Sequence, residues 1–492
     1  MDDVSDIIDP LNTAQREAVT TDCGRTLVLA GAGSGKTRVL VHRAAWLNRV
    51  EQARPYSILA VTFTNKAATE MRGRIEALLG FQAAGMWTGT FHGLSHRLLR
   101  RHWRDAGLRE GFQILDSDDQ RRLVKRVIRS LDLDEARFPP RQLQGYINAC
   151  KDEGRRPADL ATDDPYSERM QAVYAAYQDT CERTGQVDFA ELLLRSYELL
   201  RDRDEVREHY RQQFRYVLVD EFQDTNGIQY AWLRLLADQA RDLFVVGDDD
   251  QSIYGWRGAR VENIRSFGSD YPQSRVVRLE QNYRSTGHIL AAANALIGHN
   301  AGRLGKELWT AGSDGEPIEV YAAFNELDEA RFVVQRISEA IARGHARSDL
   351  AILYRSNAQS RVFEETLLGQ GLPYRVYGGL RFFERAEIKD VLAYLRLVKL
   401  RQDDPSFERV VNNPPRGIGG KTVDTLRELA RSRSASLWQT AEEAIAEQCL
   451  GARAHNALVR FVALIQTLAE EIDQSPLADA IELLADSTGL RE

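Results

Sequence analysis

A glycine-rich segment with one lysine and one threonine, AGAGSGKT, runs from Ala30 to Thr37. It follows the apolar run TLVLA and precedes an amphipathic helical pattern, which is the strand, loop and helix order of a P-loop. Glycines allow backbone N–H groups to turn toward phosphate oxygens, Lys36 can reach the β and γ phosphates, and Thr37 offers a hydroxyl to Mg²⁺. Ala30 stands where the usual pattern has its first glycine. The segment therefore predicts a triphosphate site, and the alternative of a merely flexible loop is disfavoured.

Two adjacent carboxylates, Asp220 and Glu221, end the apolar run YVLVD. In open α/β folds this carboxyl edge of a sheet is where ligands bind. Asp220 is suited to hold Mg²⁺, and Glu221 to polarise the water that attacks the γ-phosphate. Because an Asp-Glu pair after a strand is common, this interpretation depends on the P-loop.

A third polar segment, GDDDQSIYGWRGA, follows the apolar run LFVVG. Its three consecutive aspartates, 248–250, would repel one another unless a cation or arginines lie nearby. Gln251 and Trp256 are close enough in sequence for one rigid segment to place an amide at a γ-phosphate and an indole against a base. The alternative is that Tyr254 and Trp256 are core aromatics, which the neighbouring glycine and arginine disfavour.

The elements that must position these groups are short apolar runs and long amphipathic stretches. Four runs are predicted to be buried parallel strands, namely 26–30, 58–62, 216–220 and 243–247. The amphipathic region 89–215 between the second and third run is predicted to be an inserted helical domain. A second α/β series is predicted from 284, with candidate strands at 318–324, 349–356 and 373–379, and a helical region from 381 to the end.

Composition excludes several classes of protein. The chain has 492 residues, 43% of them hydrophobic and 28% charged, which is typical of about three soluble globular domains. A net charge of -7 argues against coating nucleic acid by bulk electrostatics. Four scattered cysteines without a C-x-x-C pair, an acidic N-terminus and no long apolar run predict a cytoplasmic protein without a membrane span. Arginines cluster between 97 and 156, where a solvated helix face is the favoured interpretation.

Taken in order, the motifs resemble those of the superfamily 1 DNA helicases of the UvrD, PcrA and Rep kind. The resemblance runs from about residue 11 to at least 430. It is carried by LNTAQREAV, AGAGSGKT, AVTFTNKAATEMR, GTFHGL, VDFAELL, LVDEFQDTN, GDDDQSIYGWRGA, QNYRS, GRLGKELWT, FNELDEARFVV, ILYRSNAQSR, GGLRFFERAEIKD and RGIGG. It implies an α/β, P-loop NTPase (RecA-like) fold of parallel-sheet motor domains with inserted helical domains. The implied divisions are a first motor domain at 1–88 and 216–283, an inserted helical domain at 89–215, a second motor domain at 284–380 and another inserted helical domain at 381–492.

The resemblance also implies an ATP site. Gln15 would read the adenine edge, Tyr283 would stack on that base, Arg284 would be an arginine finger supplied across the cleft from the second motor domain, and Gln251 would sense the γ-phosphate. As an alternative, Gln15 forms a helix N-cap pair with Asn12. The implied catalytic residues are Lys36, Glu221, Gln251 and Arg284, with Thr37 and Asp220 at Mg²⁺. The implied ATP-binding residues are Gln15, Ala30, Gly31, Ala32, Gly33, Ser34, Gly35, Lys36, Thr37, Arg38, Tyr283 and Arg284.

For DNA, the resemblance implies a single-strand channel lined by Phe63, His92, Tyr254 and Trp256, where stacking tolerates any sequence. In RGIGG, Gly417 and Gly419 would let backbone N–H groups approach a duplex phosphate, with a plain helix-to-helix turn as the alternative. The implied activity is that of an ATP-dependent 3' to 5' helicase and single-strand translocase of mismatch and nucleotide excision repair. Its implied partners are single-stranded DNA, junctions of single- and double-stranded DNA, and repair proteins.

One departure from the family pattern bears on activity. No SAKGLE-like and no VGVTRA-like segment follows RGIGG, so we expect an incomplete second motor domain, a truncated reading frame and impaired hydrolysis. The alternative function is a nucleotide-gated DNA-binding fragment without turnover. A small-molecule P-loop kinase is disfavoured, because QNYRS and the aromatic segment would then have no task.

Overall fold

The structure is a computed structural model that describes residues 3–377, 386–433, 435–472 and 475–491. The chain divides into two compact units, Met1–Ile318 and Glu319–Glu492. None of the helices described is both long enough and apolar enough to cross a membrane. The predicted domain boundary at 380 falls in 378–385, outside the described residues.

A six-stranded parallel sheet forms the centre of the first unit, with strand order β3-β2-β6-β7-β1-β8. All four predicted strands are confirmed, and β3 and β8 were not predicted. Two further strands, β4 and β5, pair with each other. The strands are β1 (Arg25–Ala30), β2 (Ile58–Thr62), β3 (Trp87–Thr90), β4 (Gln113–Ile114), β5 (Gln186–Val187), β6 (Tyr216–Val219), β7 (Asp242–Gly247) and β8 (Arg275–Leu279).

The sheet is buried on both faces, which explains why its central strands are continuous apolar runs. Along β2, the side chains of Leu59 and Val61 enter one core, whereas Ile58 and Ala60 enter the other. Because all the strands are parallel, the residues that follow β1, β2, β6 and β7 meet at one edge. This edge carries the P-loop, the Asp220–Glu221 pair and the three aspartates 248–250.

Helices cover both faces of this sheet and fill the stretch between β3 and β6. Within that stretch, α6, α7 and α8 enclose a separate apolar core that includes Val124, Ile147 and Tyr177. The helices of the first unit are α1 (Ser5–Ile8), α2 (Thr13–Thr20), α3 (Lys36–Arg49), α4 (Asn65–Leu79), α5 (Phe91–Arg101), α6 (Ser117–Ser130), α7 (Pro140–Asp152), α8 (Pro165–Thr184), α9 (Phe189–Asp202), α10 (Asp204–Gln213), α11 (Gly227–Ala237), α12 (Glu262–Asp270) and α13 (Gly287–Ile297).

The second unit is helical in its described residues. Its main core is formed by side chains between Ala393 and Leu484. The helices are α14 (Glu326–Ala342), α15 (Ser360–Gly369), α16 (Ala386–Lys399), α17 (Asp404–Val410), α18 (Gly420–Arg433), α19 (Leu437–Ala446), α20 (Ala452–Ile472) and α21 (Leu477–Thr488).

The strands predicted from residue 318 onward are wrong. Residues 318–324, 349–356 and 373–377 form no strand, and 378–379 lie outside the described residues. An apolar pattern becomes a strand only where a neighbouring chain pairs with its backbone, and no such ladder is present among the described residues of these segments. Their apolar side chains are consequently open to solvent, with Val320 89% and Phe324 95% exposed.

Candidate functional site

The predicted P-loop links the end of β1 to the start of α3. Gly33 and Gly35 adopt left-handed backbone conformations, with φ of +69° and +90°, which a side chain would disfavour. A Cβ on Gly31 would lie 2.1 Å from Leu308 Cδ2. The loop is therefore a backbone-lined cradle at a helix N-terminus, and Lys36 and Thr37 occupy the first turn of that helix.

The rest of the predicted loop residues complete this cradle. Ala30 is the buried last residue of β1, and Ala32 contributes its carbonyl to a contact described below. The Ser34 hydroxyl donates to the Gly31 carbonyl at 2.7 Å, which tightens the turn. Arg38 lies in the first turn of α3 with its side chain exposed.

A strap from QNYRS closes over the loop. The Asn282 amide donates to the Ala32 carbonyl at 2.6 Å, and the Tyr283 backbone N–H donates to the Gly33 carbonyl at 3.0 Å. The side-chain Oδ1 of Asn282 accepts from the Arg284 backbone N–H at 2.8 Å, so the exposed Arg284 begins directly beside the phosphate loop. Arg284, which the family resemblance places in a second motor domain, lies in the first compact unit, Met1–Ile318.

Gln15 is used within the fold. With Asn12 it forms a reciprocal capping box at the start of α2, which is the alternative considered from the sequence. Its side-chain N–H also donates to the Ser34 carbonyl at 2.8 Å. Tyr283 is 53% exposed, and its hydroxyl accepts from Asn12 Nδ2 at 2.6 Å. The two residues predicted to contact adenine thus lie beside the loop, and the adenine contact itself stays a prediction.

The predicted acidic pair follows β6 at the same edge. Asp220 is buried, and burial together with neighbouring Glu221 raises the pKa of its carboxyl to about 7. Because the charged form of this carboxyl is disfavoured, a nearby cation would stabilise it. A carboxylate oxygen is also a usual ligand of Mg²⁺, so Asp220 fits the predicted metal site. Glu221 has a φ of +52°, a strained conformation for a residue with a side chain. Its Oε2 lies 3.3 Å from Lys36 Nζ, so acid and ammonium face the same space.

A hydrogen-bond chain leads from this pair to the third motif. Gln223 donates from its amide to Glu221 Oε2 at 2.7 Å and accepts at Oε1 from the Asp248 N–H at 2.9 Å. The Gln251 amide in turn donates to the Asp248 carboxylate. Glu221 and the predicted γ-phosphate sensor, Gln251, are therefore joined through Gln223, a residue whose role the sequence motifs did not predict.

The three aspartates have the cationic partners that their repulsion requires. Lys306 Nζ lies 2.7, 2.5 and 3.0 Å from carboxylate oxygens of Asp248, Asp249 and Asp250. Arg303 forms two hydrogen bonds to Asp250, each of 2.8 Å. The prediction of a nearby cation or arginine is confirmed, and both partners come from a distant part of the sequence.

An aromatic platform follows the same turn. The rings of Phe63 and Tyr254 stack with centroids 5.1 Å apart, and Trp256 lies 6.4 Å beyond Tyr254. The guanidinium of Arg257 lies over the Trp256 ring at 4.6 Å. Trp256 is 74% exposed, so the core-aromatic alternative is wrong for this residue.

A cavity of about 360 Å³ opens beside this platform, between the ends of β2 and β3 and helices α7 and α9. Phe63, His92 and Phe189 supply its apolar walls, and Arg257 and Asp224 are among its polar groups. Burial lowers the pKa of His92 to about 4, so its imidazole is neutral near pH 7. Phe189 and Arg257 were not predicted from the sequence to line this site, although they belong to the motifs VDFAELL and GDDDQSIYGWRGA.

Sequence comparisons agree with this architecture. Residues 11–272 match the UvrD/REP helicase N-terminal domain, and residues 277–467 match the UvrD-like helicase C-terminal domain. The chain belongs to the UvrD-like helicase family. It is 59% identical to DNA helicase II of Escherichia coli (strain K12) over 490 residues, covering 99% of this chain and 68% of that protein. DNA helicase II of Haemophilus influenzae is 54% identical over 497 residues, covering 100% and 68%.

A more distant relative is the ATP-dependent DNA helicase PcrA of Staphylococcus aureus (strain NCTC 8325 / PS 47). It is 42% identical over 496 residues, which cover 99% of this chain and 67% of PcrA. These matches to both domains of the UvrD-like helicase family do not support the expected truncation, and they do not confirm an incomplete second motor domain.

The RGIGG segment lies in the second unit and joins α17 to α18. Gly417 has a φ of +83°. The Arg416 guanidinium donates to the carbonyls of Val410, Pro414 and Thr488 at 3.2, 3.0 and 2.9 Å. This is the helix-to-helix turn considered as the alternative, and contact of Gly417 and Gly419 with a duplex stays a prediction of the UvrD-like resemblance.

The arginine cluster is largely engaged within the chain. Arg97 and Arg101 lie over the Trp87 ring at 4.1 and 5.0 Å. Arg156 pairs with Glu191 and Glu198 at 2.9 and 2.5 Å. These contacts engage several of the arginines in packing and ion pairing within the chain.

Proposed function

We propose that this chain is an ATP-dependent DNA helicase that moves along single-stranded DNA. ATP would lie on the P-loop between Lys36 and the strap at Asn282, with Mg²⁺ held by Thr37 and Asp220. The metal would neutralise phosphate charge during transfer. Support comes from the glycine cradle, in which Gly31 and Gly35 leave no room for a side chain, and from the elevated pKa of Asp220.

The residues around the cradle suit hydrolysis of ATP rather than transfer of its phosphoryl group to a second substrate. Glu221 faces the same space as Lys36 and is placed to accept a proton from water as it attacks the γ-phosphorus. Arg284 and Gln251 are proposed to contact the γ-phosphate and stabilise its developing charge. The disfavoured kinase alternative would need a second substrate site, for which the motifs provide no residues.

The observation that carries the proposal is the continuous path from Glu221 to the aromatic platform. Glu221, Gln223 and Asp248 are joined by hydrogen bonds, and Gln251 is bonded to the same Asp248. Only two residues separate Gln251 from Tyr254, which stacks on Phe63. A displacement at the γ-phosphate is thereby transmitted to the surface on which bases would stack.

The direct test is phosphate release from ATP with and without single-stranded DNA. The proposal expects turnover that rises strongly on adding DNA, because the platform and the phosphate site share one rigid segment. Nucleotide and DNA binding without DNA-stimulated release would instead favour the nucleotide-gated fragment.

Replacing Trp256 by alanine is expected to weaken binding of single-stranded DNA about 5- to 150-fold, the equivalent of about 1 to 3 kcal/mol for one stacked base. The dissociation constant from fluorescence anisotropy with a labelled oligonucleotide measures this. Phe81→Ala is the matched control, since Phe81 is 47% exposed and precedes the amino end of β3, the opposite edge of the sheet. Equal affinities for Trp256→Ala and wild type would remove the indole from the DNA site.

Polarity, junction preference and a role in mismatch and nucleotide excision repair are proposed from the family relationship. A duplex with a 3' single-stranded tail should be unwound, and one with a 5' tail of equal length should not. Comparable unwinding of both would contradict 3' to 5' movement while leaving the ATP site intact.

A further inference from the structure

Lys306 is buried against three consecutive carboxylates. Only 4% of its side chain is exposed, and its ammonium approaches Asp248, Asp249 and Asp250 to within 3.0 Å or less. Burial alone would lower the pKa of Lys306, but the three carboxylates raise it above the ordinary value. The ammonium thus occupies the position that a metal ion would take among three acids.

This lysine belongs to a segment that contacts the phosphate loop as well. Residues 303–309, here called the bracket segment, place Leu308 against Gly31, where an added Cβ would be 2.1 Å away. The Trp309 carbonyl accepts from the Asn282 N–H at 2.8 Å, and Asn282 in turn holds the Ala32 carbonyl. One short segment therefore touches both the P-loop and the strap that bears Arg284.

The bracket segment holds the aspartate turn by more than one bond. Besides Lys306, the Leu304 N–H donates to Asp249 Oδ2 at 2.8 Å, and Arg303 binds Asp250 through two nitrogens. This turn ends at Gln251. The relative placement of Gln251 and the P-loop is consequently fixed through the bracket segment.

We infer that Lys306 is a positioning residue for hydrolysis: its ammonium anchors the aspartate turn to the bracket segment and so sets Gln251 opposite the P-loop. The inference rests on the proposed function for its effect on turnover. Without the ammonium, the like charges of Asp248, Asp249 and Asp250 repel one another, and the turn moves away from the bracket segment.

The test variant is Lys306→Met, which keeps the length of the side chain and removes its charge. DNA-stimulated kcat should fall about 10- to 100-fold, the effect of a misplaced catalytic group, with KM for ATP little changed. Amide hydrogen exchange should rise in residues 248–252. Lys125→Met is the matched control, since Lys125 forms an exposed pair with Glu135 at 3.0 Å.

Two double variants separate positioning from general damage. Lys306→Met combined with Asp249→Asn should recover part of the lost kcat, because one repelling charge is removed. Lys306→Met combined with Gln251→Ala should be no slower than Gln251→Ala alone, because Lys306 acts through Gln251. Additive losses in the second pair would overturn the inference.

Amide hydrogen exchange tests whether Lys306 anchors the aspartate turn, and it does so independently of turnover. If wild type shows no DNA-stimulated hydrolysis, the proposed function fails, and increased exchange at 248–252 in Lys306→Met still supports the anchoring role. Unchanged exchange there would overturn it, whatever the rate of hydrolysis. Should Lys306→Met not fold, Arg303→Gln is measured in the same way, with the increase expected around Asp250.

Discussion

Replacing Glu221 by glutamine is expected to lower DNA-stimulated ATP hydrolysis by about 10²- to 10⁴-fold, the usual contribution of a general base. ATP binding should be retained or strengthened, because the Glu221 carboxylate lies 3.3 Å from Lys36 Nζ and its loss frees the ammonium for phosphate. Single-turnover hydrolysis and the dissociation constant of a fluorescent ATP analogue measure the two effects separately.

Lys36→Ala provides the contrast for this experiment. It removes the cation rather than the base, so both affinity for the triphosphate and hydrolysis should fall. Gln223→Ala is a further comparison, since Gln223 also binds Glu221 but carries no charge. Wild-type hydrolysis by Glu221→Gln would show that another group activates the water.

The sheet could be predicted where burial dictates the sequence. β1, β2, β6 and β7 are enclosed on both faces and are therefore apolar apart from one or two residues at their ends. β8 was not predicted, because it is an edge strand in which Arg275 and Arg278 are exposed. The segments 318–324 and 349–356 carry the same apolar signal without a partner strand. An apolar pattern indicates that a segment tends to be buried. Whether it forms a strand depends on a neighbouring strand, which the local sequence does not identify.

Some features of the candidate site could likewise be predicted from the sequence, and others could not. The P-loop, the acid pair and Gln251 follow strands of one parallel sheet, so their meeting at one edge could be predicted from topology. Repulsion among residues 248–250 likewise predicted a cation. The sequence pattern did not identify Lys306 as that cation, because Lys306 is 57 residues from Asp249 along the chain and reaches the turn only through tertiary packing.

The cavity beside the platform depends on a second buried charge cluster. Lys151 Nζ lies 2.7 Å from Asp188 and 2.9 Å from Glu191, and its side chain is fully buried. Asp188 caps α9 through the Glu191 N–H, and the next residue, Phe189, forms a wall of the cavity. The ion cluster therefore fixes the start of α9, and with it the shape of the proposed DNA site.

Lys151→Met is expected to destabilise the first unit by about 3 to 5 kcal/mol, because it leaves the buried Asp188 carboxylate without its cationic partner. The free energy of unfolding from urea titration measures the loss. A second substitution, Asp188→Asn, should recover part of the lost free energy. The negative charge that then remains is on Glu191, which is paired with Arg156.

Lys151→Met also tests whether the buried ion cluster affects DNA binding. At temperatures where Lys151→Met is still folded, its affinity for single-stranded DNA should fall while its affinity for ATP is kept, because α9 lines the cavity but not the P-loop. Lys125→Met, which removes a lysine from an exposed pair, should leave both stability and binding nearly unchanged. If Lys151→Met were as stable as this control, the buried cluster would not be what holds α9 against the cavity.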